Sequence, residues 1–212
     1  LYVLPGANNQ LTIDDLDLTY INQARILHLS SFANDKQFKV ILKLIDKLGS
    51  SVKLSFAPGA LYAAKGFKAL APILKRTYLL FINQSEIRQL TREDVTSGTE
   101  SCLGQGCQIV AVTLGKGSRL RKTAAVGYIR DFENEYIIKP RDIGASMDTT
   151  GAGDAFAAGF LYGLLKGKGL EECGRLGNIV AQFCITKIGA REGLPTLSEL
   201  SRRYQELYSQ PL

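Results

Sequence analysis

The sequence predicts an α/β fold in which a mostly parallel central sheet is covered by helices on both faces, a three-layer αβα arrangement. Short apolar runs with strand character alternate with longer stretches whose apolar residues recur at helical spacing. Glycine or proline follows several of these runs and marks a turn. Alternation of this kind is typical of parallel strands joined by crossover helices.

The first half of the chain contains four predicted strands, at residues 25–29, 51–56, 78–82 and 108–114. A helix is predicted over residues 38–48, with Gly49 as its C-cap. A second helical stretch follows Pro58 and runs to about residue 75. The segment between the third and fourth strands carries one helix, which Gly98 and Gly104 weaken.

The second half begins with residues 118–138, whose pattern predicts antiparallel hairpins with an exposed turn at residues 133–135. A helix then starts at a glycine turn near Gly151 and runs to about residue 166. Glycines at positions 167 and 169 end it, and another apolar helix is predicted over residues 170–185.

Length and composition predict one cytoplasmic domain over residues 1–212. The chain is 45% apolar and 22% charged, as in ordinary globular proteins. No apolar run approaches the roughly 20 residues that cross a bilayer, and no signal-peptide pattern opens the chain. We therefore expect no membrane partner.

Charge and cysteine usage narrow the expected ligands further. The net charge of +6 comes from basic residues spread along the chain, so no nucleic-acid partner is predicted. The four cysteines lack metal-type spacing and are expected to be reduced and mostly buried.

The run MDTTGAGDAF at residues 147–156 carries the most specific chemistry in the chain. The first backbone N–H groups of a helix have no intrahelical acceptor and lie at the positive end of the helix dipole. Gly151 and Gly153 allow these amides to approach an anion, and Asp154 in the first turn is placed to accept a proton from a substrate hydroxyl. The pattern predicts a phosphoryl-transfer site.

A purely structural interpretation of this run stays open on residue types alone. Aspartate is common in first helical turns, and glycines often form tight connections before a helix. Two other phosphate loops are excluded, because Phe156 occupies the place of the third small residue of the dinucleotide motif and no Gly-x4-Gly-Lys-Ser/Thr sequence occurs.

Several polar or glycine positions follow the ends of predicted strands. Ligands of open parallel sheets bind beyond the carboxyl ends of the strands, so these positions are expected on one rim. They are Asn83, Glu86, Thr113, Gly115 and Gly151.

Residues 148–160, DTTGAGDAFAAGF, resemble the C-terminal signature of the ribokinase-like (phosphofructokinase-B type) sugar and nucleoside kinases. Three further segments match in the same order: NQSE at residues 83–86, VTLGKG at 112–117, and residues 178–195 with TKIGA at 186–190. The likeness covers essentially the whole chain. It implies the ribokinase-like fold, with ATP and Mg²⁺ as cofactors.

The resemblance implies roles for individual residues. Asp154 is then the general base, and Gly151, Ala152 and Gly153 form the anion hole. Asn83 and Glu86 match an Asn-x-x-Glu element that organises Mg²⁺ and the phosphates, with Glu86 acting through water. Without the resemblance, that last pair is only a helix cap.

Other matched positions concern the nucleotide and a cation. Thr113, Gly115 and Gly117 match a nucleotide-contacting loop, and Asn178 matches a position near the adenine ring. Asp148 and Thr150 match positions that help bind an activating monovalent cation such as K⁺, together with backbone oxygens near Cys184, Lys187 and Gly189. The chain departs from that pattern at Gly193, where some relatives have a serine.

The resemblance also implies that relatives carry a substantial segment before the one that residues 1–8 resemble. That segment holds the first sheet strand, most of a small β-lid and groups that bind the acceptor. The chain as printed is therefore expected to be a weak kinase, and its open sheet edge would favour a homodimer.

We predict an ATP-dependent kinase that transfers the γ-phosphoryl group to a primary hydroxyl of a sugar or nucleoside. The alternative is a non-catalytic nucleotide-binding or interaction module that keeps the same fold. Which sugar or nucleoside is the acceptor stays open, since the discriminating contacts belong largely to the preceding segment.

Overall fold

A computed structural model describes residues 6–30, 34–115, 117–141 and 146–212. Two compact units lie within residues Leu1–Val112 and Thr113–Leu212, and each is described by itself. The single domain over residues 1–212 stays a prediction. Of the segment at residues 1–8 matched to a lid strand, residues 1–5 lie outside the described ranges, and Gly6–Asn9 form a 3-10 turn.

The first unit contains strands β1–β4 in chain order. β1 pairs in parallel with β2, with Ile26 opposite Lys53, and β2 pairs in parallel with β3. These strands match the four predicted ones to within about two residues at each end. Their bounds are β1 Ile26–Ser30, β2 Lys53–Ala57, β3 Thr77–Asn83 and β4 Ile109–Thr113.

The helices of the first unit lie between these strands, after a short helix that precedes β1. The two predicted segments after β2 and after β3 each divide into two helices. Gly66, with φ +80, separates the first pair, and Arg92, in the left-handed conformation, ends the first helix of the second pair. The helices are α1 Leu18–Asn22, α2 Asp35–Lys47, α3 Gly59–Ala63, α4 Phe67–Leu74, α5 Gln84–Thr91 and α6 Val95–Gly104.

Helix α2 shows how the sequence sets one of these elements. The Asn34 side chain accepts a hydrogen bond from the Gln37 amide at 3.0 Å and caps the helix. Val40 and Leu44 lie on its buried face. The predicted C-cap at Gly49 is wrong, because Leu48 is already extended, with φ −76 and ψ 123.

The second unit begins with two antiparallel hairpins, as predicted from residues 118–138. A hydrogen bond from the Asp131 amide to the Asn134 carbonyl closes the turn of the second hairpin, and Glu135 already belongs to a strand. The strands are β5 Arg119–Leu120, β6 Thr123–Ala124, β7 Gly127–Arg130 and β8 Glu135–Ile138.

In its described residues, the second unit continues with the helices α7 Ala152–Leu165, α8 Leu170–Cys184 and α9 Leu197–Tyr208. The first two match the predicted helices at residues 151–166 and 170–185, whereas α9 was not predicted. None of the helices in the described ranges is long and apolar enough to cross a membrane.

Small residues allow α7 and α8 to pack closely. A Cβ on Gly159 would lie 2.8 Å from the Leu176 carbonyl oxygen, and one on Gly177 would lie 2.7 Å from the Phe156 carbonyl oxygen. The face of α8 beside this contact joins α9 in a buried cluster that contains Ile179, Val180 and Tyr204. The close approach fixes the direction of α7, whose N-terminus carries the glycine turn.

We expect Gly159→Ala to lower the free energy of unfolding by about 1–3 kcal/mol, because the added methyl group meets backbone atoms that cannot move independently. Gly104→Ala is the matched control: Gly104 is the last residue of α6, and a Cβ there meets nothing within 4 Å. It should be neutral or stabilising. Chemical denaturation of the two variants tests this, and equal effects would contradict the packing argument.

Candidate active site

The turn before α7 requires glycine at position 151. Gly151 is the N-cap of α7 and adopts the left-handed conformation, with φ 79 and ψ −1. A Cβ there would also lie 2.8 Å from the Ala190 Cβ and 3.0 Å from the Ala190 carbonyl oxygen. Gly153 differs, since it is exposed and a Cβ on it would meet nothing within 4 Å. Ala152, between them, is the half-buried first residue of the helix.

Backbone amides at the start of α7 are left without acceptors. The Ala152 amide donates to the Thr149 carbonyl at 3.2 Å, and the Ala155 amide donates to the Gly151 carbonyl at 2.9 Å. Within the described ranges, the amides of Gly153 and Asp154 between them donate to no protein acceptor. Two adjacent N–H groups at the positive end of a 14-residue helix are therefore available to an anion.

Asp154 does not cap its own helix. It occupies the third helical position, where a carboxylate can accept a hydrogen bond from the N-cap amide. In the described part of the chain, four other helices have an acid at this position that accepts the N-cap amide. The pairs are Asp15 with the Thr12 amide at 2.7 Å, Glu86 with that of Asn83 at 3.0 Å, Glu172 with that of Gly169 at 3.3 Å and Glu199 with that of Thr196 at 2.7 Å. Among the same described residues, the exposed Asp154 carboxylate makes no hydrogen bond or ion pair.

The Asp148 side chain stabilises the turn by hydrogen bonds to Thr150 and Gly189. One oxygen of its carboxylate accepts the Thr150 amide at 2.9 Å and the Thr150 hydroxyl at 2.7 Å, and the other accepts the Gly189 amide at 2.9 Å. These contacts hold the pKa of Asp148 below its usual value, with the Gly189 amide as the largest cause. Asp148 and Thr150 thus lie together, and their role in binding a cation stays a prediction.

Gly193 leaves no room for a side chain. It is buried, and a Cβ on it would clash with the carbonyl oxygens of Phe183 and Cys184 at the end of α8. The serine that some relatives have at this position could not be accommodated on this backbone. A side-chain cation ligand is therefore excluded at this point.

Asn83 and Glu86 lie in the first unit, at the junction of β3 and α5. The Asn83 side chain accepts the amides of Ser85 and Glu86, both at 2.9 Å. Glu86 returns the contact by accepting the Asn83 amide at 3.0 Å. The two residues thus form a capping box at the start of α5, and their role toward Mg²⁺ stays a prediction. Burial raises the pKa of Glu86, and the contacts with Asn83 oppose that shift only in part.

The positions assigned to the nucleotide loop lie beyond the end of β4. Thr113 is the half-buried last residue of that strand. Gly115 and Gly117 are exposed with open space beside them, and the left-handed φ of +80 at Gly117 requires glycine. The Ser118 amide donates to the Gly115 carbonyl at 3.1 Å and closes the turn. Lys116 lies outside the described residues.

Asn178 is buried in α8, with 8% of its surface exposed. Its side-chain nitrogen has no hydrogen-bond partner in the part of the chain that the structure describes. An unpaired buried amide donor costs free energy in the folded protein, so a ligand acceptor would stabilise it.

The second unit thus brings together Asp148, Thr150, the glycine turn and Asp154. Asn83 and Glu86 are in the first unit, so their placement on one rim with the glycine turn stays a prediction. Sequence reasoning missed Ala190, which packs against Gly151, because a contact so distant in the chain leaves no local pattern. In the described residues, no group of three or more His, Cys, Asp or Glu side chains is arranged to hold a metal ion.

Comparison with known proteins places this site in a family context. The model of the pfkB family of carbohydrate kinases matches residues 1–197. An uncharacterized sugar kinase of Archaeoglobus fulgidus is 41% identical over 202 residues, which span 92% of this chain and 74% of the relative. A cytidine kinase of Thermococcus kodakarensis is 35% identical over 171 residues, 78% of this chain and 57% of the relative.

Solved structures show the same fold at lower identity. A ribokinase of Thermotoga maritima superposes with a TM-score of 0.79 and 23% identity, over 95% of this chain and 63% of that one. A protein of E. coli, provisionally assigned as a ribokinase II and crystallised with ATP and Mg²⁺, gives a TM-score of 0.79 and 18% identity, over 93% of this chain and 64% of that one. The chain spans just over half to three quarters of the length of these four proteins.

The fold is accordingly a ribokinase-like α/β fold with a mostly parallel central sheet and flanking helices. The chain belongs to the pfkB family of carbohydrate kinases.

Proposed function

We propose that this chain carries the phosphate site and the general base of a kinase that transfers the γ-phosphoryl group of ATP to a primary hydroxyl of a sugar or nucleoside. The observation that carries the proposal is the uncapped start of α7, where two amides and a carboxylate without partners among the described residues lie side by side. A helix that served only the fold would gain stability from using that acid as a cap.

The start of α7 can perform both parts of the transfer. The Gly153 and Asp154 amides, with the turn at Gly151 and Ala152, bind the oxygens of the phosphoryl group as its charge redistributes. The Asp154 carboxylate takes the proton of the attacking hydroxyl. A new bond then forms between that oxygen and the γ-phosphorus, the bond to the bridging oxygen breaks, and ADP leaves with the electron pair.

Asn83 and Glu86 fit a role toward Mg²⁺. One oxygen of Glu86 is engaged by the Asn83 amide, and its carboxylate is half-buried, which suits an outer position that acts through a bound water. When bound, Mg²⁺ neutralises charge on the β- and γ-phosphates. The raised pKa of Glu86 is consistent with this role, because a nearby cation would restore its charged form.

Nucleotide binding is assigned to the second unit. Open space beside Gly115 and Gly117 permits close approach of the ribose or phosphates to the backbone near Thr113. The unpaired side-chain nitrogen of Asn178 is a donor suited to an acceptor nitrogen of the base.

Asp148 and Thr150 are assigned a bracing role in preference to cation binding. The Asp148 carboxylate already accepts three hydrogen bonds from this turn and from Gly189. The position of Gly193 excludes a further side-chain ligand. We therefore do not include K⁺ in the proposed reaction.

Asp154→Asn should reduce phosphotransfer by about 100-fold to 10,000-fold, because the isosteric amide cannot take the proton. The melting temperature and ATP affinity should stay close to wild type, since the carboxylate makes no hydrogen bond in the described part of the fold. The measurement is ADP release with Mg·ATP and each of ribose, fructose, 2-keto-3-deoxygluconate, adenosine and cytidine, first with the unsubstituted protein.

Glu199→Gln is the matched control, because Glu199 stands at the same helical position in α9 but binds back to Thr196. It should lower the melting temperature and leave turnover unchanged. Full activity of the Asp154 variant would remove that residue from the mechanism. No turnover of any acceptor by the unsubstituted protein, with ATP still bound, would support the non-catalytic alternative.

Glu86→Gln should weaken the dependence of activity on Mg²⁺ while leaving the fold as stable or more stable at neutral pH. The folded-state pKa of Glu86 lies above its unfolded value, so ionising this group costs stability as the pH rises through that interval. Glutamine cannot ionise and keeps an acceptor for the Asn83 amide. Melting curves across the acid range, together with Mg²⁺ titrations of the rate, provide the test.

Glu199→Gln should show the opposite trend with pH. The Thr196 hydroxyl and amide lower the pKa of Glu199, so its contribution to stability is present above its unfolded pKa and is lost as the pH falls. The control should therefore melt below wild type at neutral pH and approach it in acid. If the melting temperatures of both variants changed with pH in the same direction, the conclusion that burial disfavours the charged form of Glu86 would be contradicted.

A further inference from the structure

The thiol of Cys184 lies against the turn that holds the phosphate site. Cys184 is the last residue of α8 and is fully buried. Its sulfur is 3.5 Å from the Thr150 carbonyl oxygen and 3.4 Å from the Ala190 carbonyl oxygen, both within hydrogen-bonding reach of a thiol. One side chain therefore connects α8, the glycine turn and the segment that packs on Gly151.

The Thr150 carbonyl lies immediately before the left-handed N-cap Gly151, outside α7. The amide of Asp154, at the third helical position, is therefore one of the first N–H groups that have no intrahelical acceptor. The thiol of Cys184 offers a donor to the Thr150 carbonyl at 3.5 Å, on the residue that enters the turn.

The Ala190 carbonyl matters because Ala190 sets the position of Gly151. The two residues are so close that a Cβ on Gly151 would lie 2.8 Å from the Ala190 Cβ. The neighbouring Gly189 amide is bound by Asp148 at 2.9 Å. Holding Ala190 therefore holds the turn in the left-handed conformation from which α7 starts.

We propose that Cys184 is a positioning residue for phosphoryl transfer: its single S–H proton is shared between the Thr150 and Ala190 carbonyls and helps to hold the turn from which the first amides of α7 face the phosphate. The catalytic consequence rests on the proposed kinase function, whereas the effect on the turn does not.

The thiol is suited to this role because it remains protonated. Burial raises the pKa of Cys184, and the nearby carboxylates of Asp148, Asp154 and Glu192 raise it further. The S–H donor is therefore present at neutral pH.

The test compares Cys184→Ala and Cys184→Ser with Cys173→Ala. Cys173 is a matched control: it is fully buried near the start of the same helix, and its thiol contacts the Lys168 carbonyl at 3.5 Å, away from the glycine turn. Hydrogen–deuterium exchange is measured at the bonded amides of Thr150, Ala152 and Gly189. The rates of phosphotransfer at varied Mg·ATP are measured on the same proteins.

Cys184→Ala should accelerate exchange at these amides about fivefold, the effect of losing one neutral hydrogen bond. It should lower kcat/KM for ATP about fivefold to tenfold. Cys184→Ser keeps a donor and should restore part of both losses. Cys173→Ala should change neither, even if it lowers the melting temperature by a similar amount.

Unchanged exchange in Cys184→Ala, or equal changes in Cys173→Ala, would overturn the proposal. If Cys184→Ala does not fold, the serine variant decides: its exchange at the turn should lie between the wild-type rate and a fivefold increase, and an increase of fivefold or more would overturn the proposal. If the unsubstituted protein shows no phosphotransfer, the kinase function fails, and the exchange comparison still decides the role of Cys184.

Discussion

The proposed phosphate site depends on one constraint at the start of α7. No side chain may cap the first amides, and yet the backbone that carries them must be held in place. Most helices in the described ranges complete their first turn with a side chain, as Asn34, Asp94 and Thr196 do. Helix α7 has glycine at its N-cap and an acid that does not turn back. In place of a side-chain cap, the contact of Asp148 with the Gly189 amide and the packing of Ala190 against Gly151 hold the turn. The first amides are thereby oriented while their hydrogen atoms stay available to an anion.

Several polar groups of the protein are less stable than they would be with a hydrogen-bond partner or a counter-ion. Among the described residues, the Asp154 carboxylate and the amides beside it have no protein partner, and neither has the buried side-chain nitrogen of Asn178. Burial also disfavours the charge on Glu86. Each is a group that would be better satisfied if stability were the only requirement, and under the proposed function each would gain a partner from the nucleotide, its Mg²⁺ or the acceptor. These unsatisfied groups occur at positions that match the site residues of the kinase family. Their presence there favours a catalytic function over a purely structural one.

Local patterns were enough to predict the strands, α7, α8 and the glycine turn. Errors occurred where the backbone conformation of a single residue determines the end of a helix. Gly66, with a φ of +80, divides a predicted single helix into two. Helix α9 was missed although Thr196 and Glu199 form a capping box at its start. The side-chain contacts of Cys184 and Ala190 with the turn could not be predicted from local patterns, because they join positions about 35 to 40 residues apart and leave no periodic signal; only the family resemblance placed backbone oxygens near Cys184 with Asp148 and Thr150.

The most direct test of the central claim is an NMR titration that follows the backbone amides of Gly153 and Asp154 on addition of Mg·ATP, with adenosine as the ligand that lacks phosphate. If these amides bind the terminal phosphate, their signals should shift strongly with ATP, less with ADP and not at all with adenosine. Large ATP-induced shifts elsewhere in the protein, with both of these signals unmoved, would contradict the account.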